Sequence, residues 1–398
     1  MAASSSVALP RTLVVGGGIA GLTVAVALHR RGVPVELVEQ APAFGAVGAG
    51  ITVQANAHAV LDALGIPLPA EVVVPIGLVQ MLDPQGRSLM SADPEQFMAE
   101  PPSVNIHRAD LHAALLAAAA GVPLTAGKAV AAVTDRGDAV EVRFADGSSG
   151  SWDLVIGADG LHSAVRRALR GEAGCRLDYA GQTCWRFALE APDLVPAVTT
   201  EQWAPGRRAG LVPLARGFIY GYLVQSAPAG SPGPGSADPR ILRERFGGMH
   251  PGLDPVLDRL GETPVHHGDL YQHHAIDFGA GRVVLIGDAA HAMTPNVGQG
   301  AGMGIEDAGE LALLVPAHAA DPAAIPAALD ARRRERVRGV TRTAWTIGRV
   351  AHWQNPVARW IRDALLRAIP DRKAHAQTLA LWRPGIALAE RIRAADAV

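Results

Sequence analysis

The sequence Leu13-Val14-Val15-Gly16-Gly17-Gly18-Ile19-Ala20-Gly21 joins a short apolar run to a glycine-rich turn. The apolar run predicts a buried strand, and the residues that follow, Ile19 to Arg30, predict a helix. A second apolar strand, Val35 to Val38, comes next and ends at Glu39. Strand, glycine turn, helix, strand and acid in this order predict a βαβ unit that binds a dinucleotide.

Each glycine has an expected task in such a unit. Gly16 permits the tight turn, Gly18 lets a pyrophosphate approach the backbone, and Gly21 lets the helix pack on the strand. The start of the helix offers N–H groups and a partial positive charge to the phosphates. Glu39 can accept hydrogen bonds from the hydroxyl groups of a ribose.

A membrane helix is the competing interpretation, because Thr12 to Leu28 carries no charged residue. This span has about 17 residues, the short limit for crossing a bilayer. It also contains four glycines, of which three are consecutive. We therefore expect no membrane helix here.

Two further signatures follow buried strands later in the chain. Asp159-Gly160-Leu161-His162-Ser163-Ala164-Val165-Arg166 comes after the apolar run at 154–156. Gly287-Asp288-Ala289-Ala290-His291 comes after the run at 283–286 and continues into the glycine-rich stretch at 294–302. Together with the first signature, these two predict a pocket for a flavin dinucleotide.

Composition agrees with an enzyme of two or three domains. The chain has 398 residues, of which 49% are hydrophobic and 19% charged, and its net charge is −2. A net charge near zero gives no general attraction to nucleic acid or to an anionic membrane. The two cysteines, Cys175 and Cys184, form no CxxC pair, which argues against a dithiol oxidoreductase. Residues 1–10 lack the basic start of a signal peptide, so we expect a disordered N-terminus and a cytoplasmic protein.

The predicted organisation is interleaved. The fold class is α/β, with a Rossmann-like FAD-binding domain of the glutathione-reductase type and a mixed β-sheet substrate domain. We expect the FAD-binding domain to comprise residues 11–71, 101–175 and 273–345. The substrate domain is expected at 72–100 and 176–272, where the pattern is mostly strand-like, and a helical C-terminal segment at 346–398.

The three signatures resemble those of the single-component FAD-dependent aromatic monooxygenases, which have the para-hydroxybenzoate hydroxylase-like fold. The resemblance covers residues 11–370 and implies tightly but non-covalently bound FAD, transient NAD(P)H, and O2. It places the ADP half of FAD at the first signature and Glu39, the ribitol chain at Asp288, and the flavin phosphates near Arg108. The residues that it implies for FAD binding are Gly16, Gly18, Ile19, Ala20, Gly21, Glu39, Gln40, Gly50, Ile51, Arg108, Val130, Asp159, Gly160, Gly287, Asp288, Pro295, Gly298, Gly300, Ala301 and Gly302.

The glycine-rich stretch from Asn296 to Gly302 leads into a predicted helix at 301–314. Its N–H groups can face the pyrimidine edge of the flavin ring, where reduction leaves negative charge. An ordinary glycine-rich helix start is the alternative. Pro295 and Asn296 lie at the beginning of this stretch and are therefore candidates for the catalytic site.

Two residues of the substrate domain are candidates for substrate contact. Arg208 and Tyr220 match an arginine and a tyrosine that face the substrate in the similar FAD-dependent urate hydroxylases. A guanidinium could bind a phenolate or a heteroaromatic oxyanion and so favour the electron-rich ring. Those enzymes carry an acid where this chain has Asn296, which argues against urate itself. The alternative is that Arg208 pairs with an acid on the sheet and Tyr220 belongs to the core.

The resemblance implies hydroxylation or epoxidation of a small aromatic or N-heteroaromatic substrate through a flavin C4a-hydroperoxide. A prenyl-chain reductase or a halogenase on the same fold is the alternative, although the GWxWxIP segment of halogenases is absent. We expect no metal, no nucleic-acid partner, no membrane partner, and a monomer or homodimer. The sequence leaves open the substrate and the choice between NADH and NADPH.

Several other features have structural interpretations beside functional ones. The histidines at 266, 267, 273 and 274 lie in a strand-like stretch, and His291 is expected to make a structural hydrogen bond rather than relay protons. The arginines at 332, 333, 334, 336 and 338 recur at helical spacing, which predicts a solvated helix face. Trp185 and Arg186 could line the pocket or pack in the core. The tryptophans at 345, 353 and 360 could seal a domain or dimer contact.

Overall fold

Two large sheets organise the chain in a computed structural model that describes residues 7–45, 49–92, 101–231, 233, 235–250, 252–261 and 263–397. One sheet is largely parallel and belongs to the predicted FAD-binding domain; the other, the covering sheet, is mixed and belongs mostly to the predicted substrate domain. The expected α/β class is confirmed. Residues 1–6 of the expected disordered start, and residues 93–100 of the first substrate-domain segment, lie outside the described residues.

The parallel sheet has the strand order β18-β19-β12-β1-β2-β8. Its central strand, β1, pairs in parallel with β2 and β12 and is buried along its whole length. Strands that are covered on both faces have continuous apolar sequences, as this one does. The six strands are β1 (Thr12–Val15), β2 (Val35–Val38), β8 (Leu124–Thr125), β12 (Leu154–Gly157), β18 (Gly279–Ala280) and β19 (Val283–Leu285).

The covering sheet has the strand order β17-β13-β16-β15-β14-β5-β6. Its neighbouring strands are antiparallel except for the parallel pair formed by β14 and β5. The seven strands are β5 (Val79–Leu82), β6 (Ser88–Ala92), β13 (Leu177–Glu190), β14 (Thr199–Ala204), β15 (Arg207–Pro213), β16 (Phe218–Ser226) and β17 (His266–His273).

Two small sheets of three strands complete the β structure. The first contains β3 (Gly50–Val53), β4 (Val73–Pro75) and β7 (Val104–His107), and the second β9 (Val130–Asp135), β10 (Val140–Phe144) and β11 (Ser149–Trp152). In the second, β9 and β10 pair as an antiparallel hairpin.

The helices agree with the predicted ones to within a few residues in the FAD-binding domain. Helix α1 has the predicted bounds, whereas α8 begins one residue earlier and ends three residues later than predicted. The helices are α1 (Ile19–Arg30), α2 (Ala55–Ala63), α3 (Arg108–Ala118), α4 (Ala164–Arg170), α5 (Pro239–Phe246), α6 (Leu253–Asp258), α7 (Asp288–His291), α8 (Gly300–Ala317), α9 (Ile325–Ala351), α10 (Pro356–Arg367) and α11 (Asp371–Asp396).

The prediction of a mostly strand-like stretch at 176–272 missed two helices, α5 and α6. They bury Phe246 and Leu253 against the outer face of the covering sheet, in a core that includes Trp185 and Phe187. Their apolar positions are few and closely spaced, so the sequence pattern did not reveal them. At the other end, α9 continues through the predicted boundary between residues 345 and 346.

Candidate active site

Two glycines at the turn between β1 and α1 allow contacts that a larger residue would prevent. Gly16 has a φ of +110°, and a Cβ there would lie 2.5 Å from the carbonyl oxygen of Ala158, just after β12. A Cβ at Gly21 would lie 1.9 Å from the carbonyl oxygen of Gly16. Both glycines therefore let backbone segments approach closely, which sets the start of α1 against β1 and β12.

Gly18 differs, because a Cβ added there would meet no protein atom within 4 Å. It is the N-cap residue of α1, and no side chain caps the N–H groups of the first turn. Uncapped N–H groups beside open space form a site that suits a phosphate. At the end of β2, the carboxylate of Glu39 accepts hydrogen bonds from the N–H groups of Gly17 at 2.6 Å and Ala41 at 2.8 Å.

The second signature is a closed loop held by Asp159. Its carboxylate accepts hydrogen bonds from Ser163 Oγ at 2.5 Å and from the N–H groups of Ala164 and Val165. Burial raises the pKa of Asp159, although these hydrogen bonds act in the opposite direction. The loop thereby fixes the start of α4, and Gly160 within it has a φ of +80°.

Arg166 connects the second signature to the third. Its buried guanidinium donates to the carbonyl oxygens of Ala289 and Ala290 in α7, at 3.0 and 2.9 Å. It also donates to the carbonyl oxygens of Gly174 and Ala275. All three nitrogen atoms of this guanidinium therefore have partners inside the protein, and they hold α7 in place.

The first and third signatures meet where α1 crosses α8. A Cβ at either Gly287 or Gly304 would lie 3.0 Å from the Cβ of Ala20. The carboxylate of Asp307, also in α8, accepts hydrogen bonds from the N–H of Gly287 at 3.0 Å and from His291 Nε2 at 2.6 Å. His291 thus makes a buried structural contact, and Asp288 at the start of α7 remains exposed.

The arginine cluster of α9 is the predicted solvated face only in part, because Arg332 and Arg338 are exposed but Arg333 is buried. Arg333 is 3% exposed and forms ion pairs with Glu306 and Asp307 of α8. Burial raises the pKa of Asp307, but the charges of His291 and Arg333 and its hydrogen bonds outweigh this effect and lower it to about 2. The prediction of a solvated face was wrong for Arg333, because its two acidic partners lie on another helix, 26 and 27 residues away in sequence.

The loop between α7 and α8 is held by amides. Gln299 Nε2 donates to Gln54 Oε1 at 2.6 Å and to Asn56 Oδ1 at 3.0 Å. Gly298 adopts the left-handed conformation with a φ of +64°, and no side chain caps the first turn of α8. This second uncapped helix start includes Gly300, Ala301 and Gly302.

One face of the covering sheet carries the polar side chains. A row of directly paired residues crosses four strands, in the order Arg186, Tyr222, Gly210, Glu201. Adjacent rows on the same face contain Tyr220 and Arg208, because side chains two residues apart point the same way. The opposite face packs on α5 and α6. Arg186 therefore lies on the polar face, whereas its neighbour Trp185 belongs to the core.

Arg208 is 3% exposed, and every arm of its guanidinium has a partner. Nη1 lies 3.2 Å from Glu201 Oε1, Nη2 lies 2.5 Å from Asn296 Oδ1, and Nε lies 3.0 Å from His352 Nε2. An arginine can only donate, so His352 Nε2 accepts and its Nδ1 donates to Ser226 Oγ at 2.9 Å. Burial, and then the charge of Arg208, lower the pKa of His352 to about 3.

Tyr220 lies where the covering sheet meets the FAD-binding domain. A Cβ at Gly50 of β3 would lie 2.5 Å from the Cβ and Cγ of Tyr220. Burial raises the pKa of Tyr220 to about 12, with Arg186 and Arg108 acting in the opposite direction. The phenol is therefore neutral at pH 7. Arg108 itself is exposed at the start of α3 and, among the described residues, has no carboxylate within ion-pair distance.

The remaining predicted FAD-binding residues lie on the same elements. Gln40 is exposed just after Glu39, Ile51 follows Gly50 in β3, and Val130 begins β9. Pro295 is exposed one residue before Asn296. Among the predicted residues, the structure places Gly287 next to Ala20 and Gly50 next to Tyr220.

Some contacts had no usable signal in the sequence. Glu201 accepts hydrogen bonds from Arg208, from Trp203 Nε1 and from the hydroxyl of Tyr222, but it comes from a strand with no recognisable motif. His352 was missed for the same reason. For Arg186 and Tyr222, the alternation of β13 and β16 was the available signal, since both share a face with Tyr220.

Three of the clustered histidines make hydrogen bonds or ion pairs with other protein groups. Thr183 Oγ1 lies 2.6 Å from His267 Nε2, His273 Nε2 lies 3.0 Å from the carbonyl oxygen of Asp288, and His274 pairs with Asp178. Within the described ranges, no three histidine, cysteine or acidic side chains could hold a metal ion together. In the same part of the chain, no helix has the length and apolar character needed to span a membrane.

Sequence comparison places this site in a known family. A family model described as "FAD binding domain" matches residues 10–344. The chain is similar to aurachin C monooxygenase/isomerase of Stigmatella aurantiaca, with 36% identity over 92% of this chain and 96% of the relative. It is also similar to 2-heptyl-3-hydroxy-4(1H)-quinolone synthase of Pseudomonas aeruginosa, with 33% identity over 90% of this chain and 94% of the relative. The protein belongs to the FAD-dependent monooxygenases.

Structural comparison agrees. Klebsiella pneumoniae HpxO, solved in complex with FAD and uric acid, superposes on this monooxygenase with a TM-score of 0.85 and 26% identity, over 94% of this chain and 97% of that one. The para-hydroxybenzoate hydroxylase-like fold is therefore confirmed, and these relatives favour a monooxygenase over a prenyl-chain reductase or a halogenase. The cofactor is FAD, and the open space at Gly18 beside the uncapped start of α1 fits its pyrophosphate.

Proposed function

We propose that this monooxygenase uses NAD(P)H and O2 to hydroxylate a small aromatic or N-heteroaromatic ring that carries an acidic or carbonyl oxygen. One oxygen atom enters the ring in place of hydrogen, the other leaves as water, and NAD(P)H supplies the two electrons. Compounds of the 4-quinolone type are our preferred substrates, because such a ring is named in 2-heptyl-3-hydroxy-4(1H)-quinolone synthase. We favour hydroxylation over epoxidation because the name of this relative contains a ring hydroxyl group.

The observation that carries this proposal is the contact between Arg208 and Asn296. It ties the polar face of the covering sheet to the loop that leads into α8, so a guanidinium lies beside the proposed flavin edge. A positive charge in this buried position favours the deprotonated, electron-rich form of a ring hydroxyl. Glu201 balances part of that charge, which leaves Arg208 oriented rather than free.

Each remaining candidate residue has a proposed task. Tyr220, which stays protonated at pH 7, donates a hydrogen bond to the ring oxygen of the substrate. Pro295 and Asn296 shape the wall between substrate and flavin, and the covering sheet excludes water from this space. The glycine turn, Glu39, Gln40, Arg108 and Asp288 hold FAD, which when bound and reduced supplies the activation of O2.

NAD(P)H has no βαβ unit of its own in this proposal. The chain contains one dinucleotide fingerprint, and FAD uses it, so NAD(P)H binds transiently at the protein surface near the flavin. We also propose a cytoplasmic location, where NAD(P)H is available and cysteines remain reduced.

A matched pair of arginine variants tests the proposal. Arg208 and Arg207 are neighbours on β15, but Arg207 points to the opposite face and donates to the carbonyl oxygen of Arg245. The wild type, Arg208→Gln and Arg207→Gln should be assayed with NADH and NADPH on 4-quinolones, hydroxybenzoates and hydroxypyridines, with product mass measured under ¹⁸O2. We expect one ¹⁸O atom in the product, and about 100-fold loss of kcat/KM in Arg208→Gln alone.

Other outcomes would contradict it. NAD(P)H consumption that yields only hydrogen peroxide with every ring would remove the substrate class. Equal activity of Arg208→Gln and the wild type would remove Arg208 from the site.

A further inference from the structure

Helix α10 is amphipathic in the inverted sense, with its apolar side toward solvent. The inner side carries Arg362, which is buried and donates to the carbonyl oxygens of Val350 and Ala351 at the end of α9. The outer side carries four large apolar residues, exposed to 64%, 72%, 45% and 65%, namely Val357, Trp360, Ile361 and Leu365. Val357, Ile361 and Leu365 recur every four residues and Trp360 lies three residues after Val357, so the four form one continuous stripe.

The orientation of this helix is fixed, so the stripe cannot turn inward. The guanidinium of Arg362 lies 5.2 Å from the ring of Trp203 in the covering sheet and also pairs with Asp363. Leu366 on the same inner side packs beside Trp203 and Ala351. A single exposed apolar side chain is ordinary, but a fixed stripe of four indicates a surface that binds something.

The segment of the chain that contains the stripe is strongly positive. Residues 338–383 contain nine arginines and lysines against two aspartates, whereas the whole chain has a net charge of −2. Among the described residues of this region, six of the nine have no carboxylate within ion-pair distance: Arg342, Arg349, Arg359, Arg372, Lys373 and Arg383. Arg349 precedes α10, and Arg372 and Lys373 closely follow it.

We propose that the apolar stripe of α10 and its flanking basic residues bind the surface of an anionic phospholipid bilayer. An apolar face with aromatic and aliphatic residues, bordered by arginine and lysine, is the pattern of a helix that lies in the membrane interface. The apolar side chains enter the acyl boundary and the basic ones contact lipid phosphates. The expectation that this protein has no membrane partner followed from its net charge of −2. That value is a sum over the whole chain and does not show the positive charge of residues 338–383.

A second copy of the chain fits the same surface less well. A two-fold contact through α10 would bring the same unpaired basic residues of both copies together. Like charges across an interface oppose association, whereas an anionic lipid surface complements them.

The bound orientation would place the substrate site close to the membrane. Trp203, which lies under Arg362, is the direct cross-strand neighbour of Arg208. His352, four residues before α10, donates to Ser226 and accepts from Arg208. Lipid binding thus goes beyond the proposed function and does not depend on it, but it would suit a substrate that partitions into the bilayer.

Vesicle flotation of the FAD-loaded enzyme tests the proposal without turnover. The two vesicle types are phosphatidylcholine alone and an equimolar mixture of phosphatidylcholine and phosphatidylglycerol. We expect at least about tenfold stronger binding to the mixture, and weaker binding at high salt. Trp360→Ser with Leu365→Ser should lower binding by about tenfold or more, and so should Arg372→Glu with Lys373→Glu.

Two control variants lie elsewhere on the surface. Val7→Ser removes another exposed apolar side chain, and Arg143→Glu reverses an exposed charge on β10; both should bind like the wild type. Absent or equal binding to both vesicle types would overturn the proposal. So would a dimer, detected by light scattering, that Trp360→Ser with Leu365→Ser converts to a monomer.

Discussion

The ring of Tyr220 lies directly on the backbone of Gly50, so that a methyl group at Gly50 would come within 2.5 Å of Tyr220 Cβ. Gly50 belongs to β3 of the FAD-binding domain, and Tyr220 to β16 of the covering sheet. This contact is one of those that set the distance between the small sheet of β3 and the covering sheet. Both residues are candidates for the active site, one for flavin and one for substrate.

Gly50→Ala should therefore disturb the site more than an alanine normally would. We expect a loss of about 1–3 kcal/mol in the free energy of unfolding, because β3 and the covering sheet must move apart. The same movement should lower kcat by up to about 100-fold. Combining Gly50→Ala with Tyr220→Gly, which removes the Cβ and Cγ that the methyl group would meet, should cost less stability than the sum of the two single substitutions. Urea denaturation measures the stability of the single and double variants. Gly77→Ala is the control, because its methyl group would meet no atom within 4 Å. Additive effects of the two substitutions would contradict the contact.

The first signature allows cofactor binding to be separated from folding. Gly18→Ala places its methyl group in open space, and Gly18 has an ordinary φ of −78°. We expect this variant to fold normally but to bind FAD at least about tenfold more weakly, because the methyl group enters the proposed pyrophosphate position. Fluorescence titration of the apoprotein with FAD measures the Kd, and thermal unfolding of the same apoprotein measures stability.

Gly21→Ala should behave in the opposite way. Its methyl group would lie 1.9 Å from the carbonyl oxygen of Gly16, so α1 would have to move from β1. We expect the apoprotein itself to lose about 1–3 kcal/mol of stability. Normal FAD affinity in Gly18→Ala would remove that residue from the proposed pyrophosphate site, whatever Gly21→Ala shows.

The contrast between local and distant contacts explains what the sequence could predict. The βαβ unit, α1 and the strands before each signature were predictable, because their glycines and apolar runs act on residues close by. Arg208 and Tyr220 could be named only through the family resemblance. Contacts such as Arg208 with His352, 144 residues apart, depend on how the sheets and helices pack.

Partners of opposite charge on separate helices were the main source of error. Helical spacing alone assigns the arginines of α9 to a solvated face. The acids Glu306 and Asp307 lie in an α8 segment whose sequence is otherwise apolar and glycine-rich, and they turn Arg333 inward. The inverted α10 is the complementary case, since its Arg362 is buried and its Trp360 is exposed.

Arg333→Met should be strongly destabilising. It leaves Glu306 and Asp307 buried beside one remaining arginine, Arg336, which pairs with Glu306. Removing one partner of a buried ion pair costs about 3–5 kcal/mol. Urea denaturation checks this value against Arg338→Met, an exposed arginine five residues along α9, for which we expect a change within about 0.5 kcal/mol. Equal stability of the two variants would show that the buried network is not formed.

His352 should make the stability of the protein depend on pH. Burial and Arg208 lower its pKa to about 3 from an ordinary value of 6.5, so the folded state keeps this histidine neutral. Between these two pH values the unfolded state binds the extra proton, and stability falls as the pH drops below 6.5. One such group contributes a slope of up to about 1.4 kcal/mol per pH unit, and none above pH 7.

His352→Gln, whose side-chain oxygen can still accept from Arg208, should show a correspondingly smaller slope between pH 4 and 6. The measurement is urea denaturation across that range, with the exposed His29→Gln as the control. An unchanged slope in His352→Gln would mean that His352 is protonated in the folded protein, and would contradict its acceptor role toward Arg208.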